Sequence, residues 1–426
     1  MEHRKIEASS RNTDPNTNSP MPLKRTLMFV AFALCGAAFS PDARADLSVN
    51  LVNKSGVDPS QVFIMFGAAP LQARATINGA SNTPIARGVS YALATIKDIK
   101  ITSFPAGKIY VSLKGPLSSE FPNFNNPSLP DYNLRWDKVE ITLIPGNPTS
   151  CANLSAQDFF SVPLRIDTFK ADNSPASTLS WRTPTATVFS NLGALSKYHS
   201  SAVATGTNGV PTDHGNILRI ISPATVPDPS VYQSWDGYIK YVQGYNIVTP
   251  IVGEFMGGNH PRFDLSAKVD AGGNLVMTGT AAGSPANIQI AAGNLSKGIW
   301  SCNPDYTVNG AVKHMGDNDV YSAAVRDALA GFNYGFIASP ETNPNTGKPF
   351  GAGPSENWYR PTAPPQSLAF EAAQPGHEGF YNKYASYLAK VSDAYSFPFT
   401  DMCQAPLASL DPANIASMTL TVQADN

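Results

Sequence analysis

Charge is scarce in this sequence and neither sign dominates. Asp, Glu, Lys and Arg make up 15% of the 426 residues, and the formal net charge is −2. That leaves no basic stripe for nucleic acid or for an anionic membrane surface. Long apolar runs are missing as well. The run from Leu27 to Phe39 is thirteen residues, short of the roughly 20 needed to span a bilayer, and nothing later reaches that length. Cysteine is rare, with four in the chain. No CxxC or Cys/His spacing suggests a metal site, and the six histidines follow no ligand pattern. Neither a metal nor another cofactor is expected.

The short apolar run has a different use. Lys24 and Arg25 precede it, and Ala43-Arg44-Ala45 follows with small residues where a signal peptidase reads. Residues 1–45 are therefore expected to be a signal peptide cleaved after Ala45. Its first 20 residues are either a polar extension or lie before a true start at Met21. Cys35 lies inside the apolar run without a lipoprotein context, so release is expected, to the cell exterior or a periplasm. Cys151, Cys302 and Cys403 remain after cleavage, and an oxidising compartment favours one disulfide and one leftover thiol. The spacing leaves open which two pair.

What the chain has in quantity is 36 Pro, 32 Gly, 16 Tyr and 21 Phe. This is the profile of a turn-rich, mainly β protein. About 380 residues after cleavage exceed one comfortable core. From Leu47 to Ile166 short β-runs alternate with turns, as in a sandwich or barrel. In this reading Pro105-Ala106-Gly107 is a turn between the strands IKITSF and KIYVSL, and residues 120–133 form a loop. Helical periodicity comes later: Val231, Trp235, Ile239 and Val242, then about 319–333, then about 379–391. The expected organisation is a β domain at 46–175 and a mixed α/β domain at 176–378. Residues 379–426 should supply a helix and a strand, SMTLTVQ, that returns to the first sheet. Residues 339–368 read as a long surface loop.

The most informative segment runs from Trp136 to Ile166. From Lys138 to Leu143 the residues alternate strictly, with Val139, Ile141 and Leu143 on one face and Lys138, Glu140 and Thr142 on the other. Asp158 follows Glu140 by eighteen positions. Two carboxylates presented together are what acid/base hydrolysis of a glycosidic bond requires.

Two motifs, VEITL followed by NLSAQDFFSVPL and SDAYSFPFTD near the C-terminus, resemble thaumatin-like proteins. The greater length, the scarcity of cysteine and the segments PAGKIYVSL, WDGYIKYV and IWSCNPDY are similar to glycoside hydrolase family 64, bacterial β-1,3-glucanases that join a thaumatin-like barrel to an α/β domain. The resemblance covers nearly all of residues 47–424. It implies a secreted, endo-acting enzyme that cleaves β-1,3-glucan with inversion, with Glu140 as general acid and Asp158 as general base. Thr142 and Trp136 share the face of Glu140 and are candidate sugar contacts, Trp136 by stacking. The expected partner is the glucan, bound by a monomer, with neither nucleic acid nor membrane involved. A non-catalytic thaumatin-like β-glucan-binding protein is the alternative.

Several features depart from the family pattern or carry no role. Cys151 stands in PGNPTSCA, where an aromatic or a further polar sugar contact would be expected. Asp158 shares the parity of Phe160 and Val162, the core face, so it must precede the strand or sit at a bulge to reach a cleft. The acid should lie in an apolar or carboxylate-rich environment. Asp393 and Asp401 read as structural. Glu254, Asp317, Asp319, His314 and His377 lack partners at diagnostic spacing.

Overall fold

The computed structural model describes residues 46–244, 248–255, 259–344, 346–358, 370, 372–398 and 406–426. The signal segment with Cys35, Cys403, Asp401 and part of the 339–368 loop lie outside the described residues.

The chain is mainly β, and its largest sheet has 13 strands curled toward a barrel. The strands that matter for the site are β1 (Leu47–Asn53), β2 (Val62–Gly67), β3 (Gln72–Ile77), β4 (Ala80–Pro84), β5 (Ser90–Ala92), β6 (Ile96–Leu113), β7 (Arg135–Leu143), β8 (Cys151–Ser155), β9 (Phe159–Phe160) and β10 (Leu164–Phe169). The C-terminal strand Ser417–Val422 runs parallel to β1 and antiparallel to β10.

The longest strand departs from expectation. Pro105-Ala106-Gly107 does not end one strand and begin another: β6 is continuous for 18 residues. Its first half pairs with β1 and β3, its second half with β2 and β7. The register with β7 shifts between Phe104 and Gly107, and Ala106 has φ 52°. A bulge of this kind bends a strand sharply, so one strand serves both walls of the curled sheet. The bend needs glycine, because a Cβ at Gly107 would lie 2.3 Å from the Phe104 ring.

Alternation sorts the side chains of β6 and β7. Ile109, Val111, Val139 and Ile141 are buried in the main core, while Lys108, Tyr110, Lys138 and Glu140 take the opposite face. That face carries a small second core of Met65, Tyr110, Leu117, Trp136 and Phe159.

A six-stranded antiparallel sheet spans Thr249 to Lys313. Helices Asp236–Gly244, Ala292–Ser301 and Val320–Tyr334 belong to the same part of the chain. Val231 falls in a 3-10 turn, Pro229–Val231, ahead of the first of these helices. Two helices lack a counterpart in the sequence reading, Thr185–Leu195 and Ala292–Ser301. The first buries Val188, Phe189, Leu192 and Gly193. The second ends at Cys302 in a left-handed conformation. Cys302 is a free, fully buried thiol, and burial pushes its pKa well up.

Candidate active site

The candidate site is built across three neighbouring strands. Lys108 on β6 is in register with Glu140 on β7, and Glu140 with Asn153 on β8. Directly paired residues of antiparallel strands project to the same side, so this row forms one band across the sheet. Thr142 pairs with Cys151 beside it, and Lys138 pairs with Tyr110. Glu140 is partly exposed and its Oε1 lies 3.2 Å from Lys108 Nζ.

Asp158 reaches this band because it precedes its strand. It sits in a bend just ahead of the two-residue β9. The parity of Phe160 and Val162 therefore does not govern it. Its carbonyl accepts hydrogen bonds from Ser222 N at 2.9 Å and from the Thr225 hydroxyl at 2.6 Å. Gln157 O accepts from the Ser222 hydroxyl, and Ala156 O from Tyr384 Oη at 3.1 Å. Three consecutive carbonyls are thus pinned from outside the strand, and the Asp158 side chain is left to face Lys138, 2.9 Å away.

Electrostatics separates the two carboxylates from a carboxylate-only cleft. Burial alone would raise the Asp158 carboxyl, but Lys138 and then Lys108 outweigh it and hold it below the usual range. Lys108 feels Glu140, Asp158 and Tyr110 together; these overcome burial and hold the ammonium firmly protonated. Burial pushes the Tyr110 phenol up to about 12. Lys108 and Tyr110 each sense both Glu140 and Asp158, so the two carboxylates border one site. Glu140 has Lys108 against it as well as Asp158 at the same site, so its surroundings are of mixed charge.

The other candidates divide. Thr142 is half-buried beside Cys151 on the Glu140 face. Trp136 is on that face too, but its indole is 2% exposed. It packs edge-on against Tyr110 and Phe159, with centroids at 5.9 and 4.7 Å, and its Nε1 donates to Asp131 O at 3.1 Å. The expectation that Trp136 stacks on a sugar is therefore corrected: its ring is covered and supports the floor. Asp393 ties segments together, bonding Arg182 Nη1 at 2.5 Å and accepting from Ser180 N at 3.0 Å. Lys108 and Lys138 are the site residues that the sequence reading did not single out.

A cavity of about 490 Å³ lies elsewhere, lined by Lys197, His199, Gln233, Trp300 and Lys383 among others. It contains neither Glu140 nor Asp158. The side chains of Glu140 and Asp158 are 28% and 24% exposed.

Two carboxylates bordering one site are an arrangement that a glycoside hydrolase uses. The profile of the family described as β-1,3-glucanase, glycoside hydrolase family 64, matches residues 46–410, and the chain belongs to that family. It is a β-1,3-glucanase by membership. Among solved structures it is similar to a laminaripentaose-producing β-1,3-glucanase in complex with laminaritetraose, at 18% identity and a TM-score of 0.57, over 90% of this chain and 99% of that one. It is also similar to a β-1,3-glucanase domain from Clostridium beijerinckii, at 12% identity and a TM-score of 0.52, over 90% of this chain and 100% of that one. At these identities the two likenesses establish the fold. A search of curated proteins finds no match.

Proposed function

We propose that this β-1,3-glucanase is endo-acting and inverting, with Glu140 as general acid and Asp158 as general base. What supports the division is the charge around Asp158, which two lysines face. Asp158, held ionised by Lys138 and Lys108, is suited to take a proton from water. Glu140, partly exposed on the same face, takes the acid role that the family resemblance gives it. In the reaction, water attacks the anomeric carbon while Asp158 accepts one of its protons. The bond from that carbon to the leaving oxygen breaks, and the oxygen takes a proton from Glu140. The proton count balances, and the new hydroxyl enters on the opposite face of the sugar.

The substrate of this reading is a β-1,3-glucan chain, in keeping with the laminaritetraose bound to the similar structure. Thr142 contacts the sugar beside Glu140. The barrel is thaumatin-like, the protein acts as a monomer, and it is exported with a mature terminus at Asp46. The apolar run behind Lys24 and Arg25 and the Ala43-Arg44-Ala45 site support export, and β1 begins at Leu47.

The deciding experiment measures reducing-sugar release from laminarin by the mature protein, Glu140→Gln and Asp158→Asn, with the first-formed anomer followed by NMR. Loss of turnover in both variants, with α-anomer first from the wild type, supports the reading. Equal activity in either variant, or β-anomer first, overturns it. If all three proteins bind insoluble glucan and none cleaves it, the binding-protein alternative holds.

A further inference from the structure

Lys138 is an unusual residue for its place. It leaves β7 between Trp136 and Glu140, its side chain is 3% exposed, and its ammonium lies 4.6 Å over the Phe159 ring. Nζ makes its ion pair with Asp158 at 2.9 Å and no hydrogen bond to another group among the described residues. Burying an ammonium is strongly unfavourable unless a counter-charge compensates it. An apolar side chain here would extend the small core of Trp136, Tyr110 and Phe159 without that penalty. Packing therefore does not account for a lysine at this position, whereas the neighbouring carboxylate does.

We infer that Lys138 is a positioning residue that holds the Asp158 carboxylate in place beside the Glu140 face of the sheet. The inference rests on the proposed role of Asp158 as the base. The geometry is directional. The carbonyls of Ala156, Gln157 and Asp158 are pinned from the helix Lys383–Val391 and the 222–225 segment, so the backbone that carries the side chain is held. Lys138 then fixes the carboxylate from below. Lys108 on β6 favours ionisation of Asp158, and Glu140 on β7 borders the same site. The Tyr110 and Tyr384 phenols are neutral, their pKa values raised by burial. Asp137, on the other face of β7, also feels Lys138 but spends its oxygens on the backbone N–H groups of Lys138, Ser161 and Val162.

The test compares pH profiles of kcat/KM on laminarin for wild type, Lys138→Met and Lys138→Arg. In Lys138→Met the acid limb should move up by about one unit or more, the usual effect of losing an adjacent opposite charge. Lys138→Arg should return the limb toward its original position. A folded Lys138→Met with an unmoved limb, while Asp158→Asn is inactive, overturns the inference alone. Activity that survives in Asp158→Asn overturns the base assignment and the inference with it.

A second measurement is independent of turnover and serves if Lys138→Met does not fold. The folded pKa of Asp158 is depressed. The stability from its ion pair is thus present above the unfolded carboxyl value and lost as pH falls through the folded one. Wild type should melt above Asp158→Asn at neutral pH, and the gap should close in acid. A gap that does not change with pH overturns the clamp.

Discussion

Gly107 lies flat against the ring of Phe104, three residues earlier in the same strand, at the point where β6 bends. The next residue is Lys108, which faces Glu140. A methyl group at 107 must push the ring or open the bulge, and overpacking of this kind costs about 1–3 kcal/mol. Gly107→Ala should therefore lower the melting temperature. Because the displaced strand carries Lys108, it should also lower kcat on laminarin by more than the loss of folded protein explains. Thermal melts alongside active-site-normalised rates measure both. Unchanged kcat per folded molecule would mean the bend and the site are mechanically independent.

Trp136 offers a sharper contrast. Its indole supports Tyr110 and Phe159 from below and is closed to solvent. Trp136→Ala should be destabilising by about 3–5 kcal/mol, as for a large buried aromatic side chain. Trp136→Phe should retain most of the packing and an unchanged KM. Were the indole a stacking platform for sugar, Trp136→Phe would instead raise KM at constant stability. Denaturant unfolding paired with steady-state kinetics separates the two.

Thr142 and Cys151 stand opposite each other on β7 and β8, beside the Glu140–Asn153 pair. Under the proposed function the Thr142 hydroxyl bonds the sugar. Thr142→Val, which keeps the β-branched shape, should then raise KM by about 2- to 13-fold, the equivalent of one neutral hydrogen bond. Thr142→Ser should behave like the wild type. Identical KM values in all three would remove Thr142 from the substrate site.

How far the sequence reveals this site can be argued residue by residue. Strict alternation from Lys138 to Leu143 identifies the face of Glu140, because the pleat has no other solution. Parity misleads at Asp158, since β9 is only two residues long and starts after it. The hydrogen bonds that turn it outward come from Ser222, Thr225 and Tyr384, which are far away in sequence. Lys138 was legible as a polar-face neighbour of Glu140, two positions earlier, yet nothing local pairs it with Asp158. Lys108 was not legible at all: its partnership depends on the β6–β7 register, which a bulge resets. The helix Thr185–Leu195 was hidden for a related reason. It buries Val188, Phe189 and Leu192, but it carries no charged residue to mark a solvent face.

Asp327 lies on the helix Val320–Tyr334, in a different part of the chain from Glu140 and Asp158. Its Oδ2 accepts a hydrogen bond from Ser355 Oγ at 3.0 Å, and Ser355 Oγ in turn accepts from Val252 N at 2.9 Å. Burial pushes the Asp327 carboxyl up to about 7, against the opposing effects of that hydrogen bond and of Arg326. An unfolded aspartate titrates near 3.9, so between these values the folded protein binds the extra proton. The stability linked to that proton is fully present below about pH 4 and is lost as pH rises through the folded value of about 7. Asp327→Asn cannot ionise and should escape the loss. The variant should match the wild type in urea unfolding near pH 4 and exceed it at pH 8. A difference of the same size at both pH values would show that Asp327 does not titrate in this window and that its carboxylate is compensated where it lies.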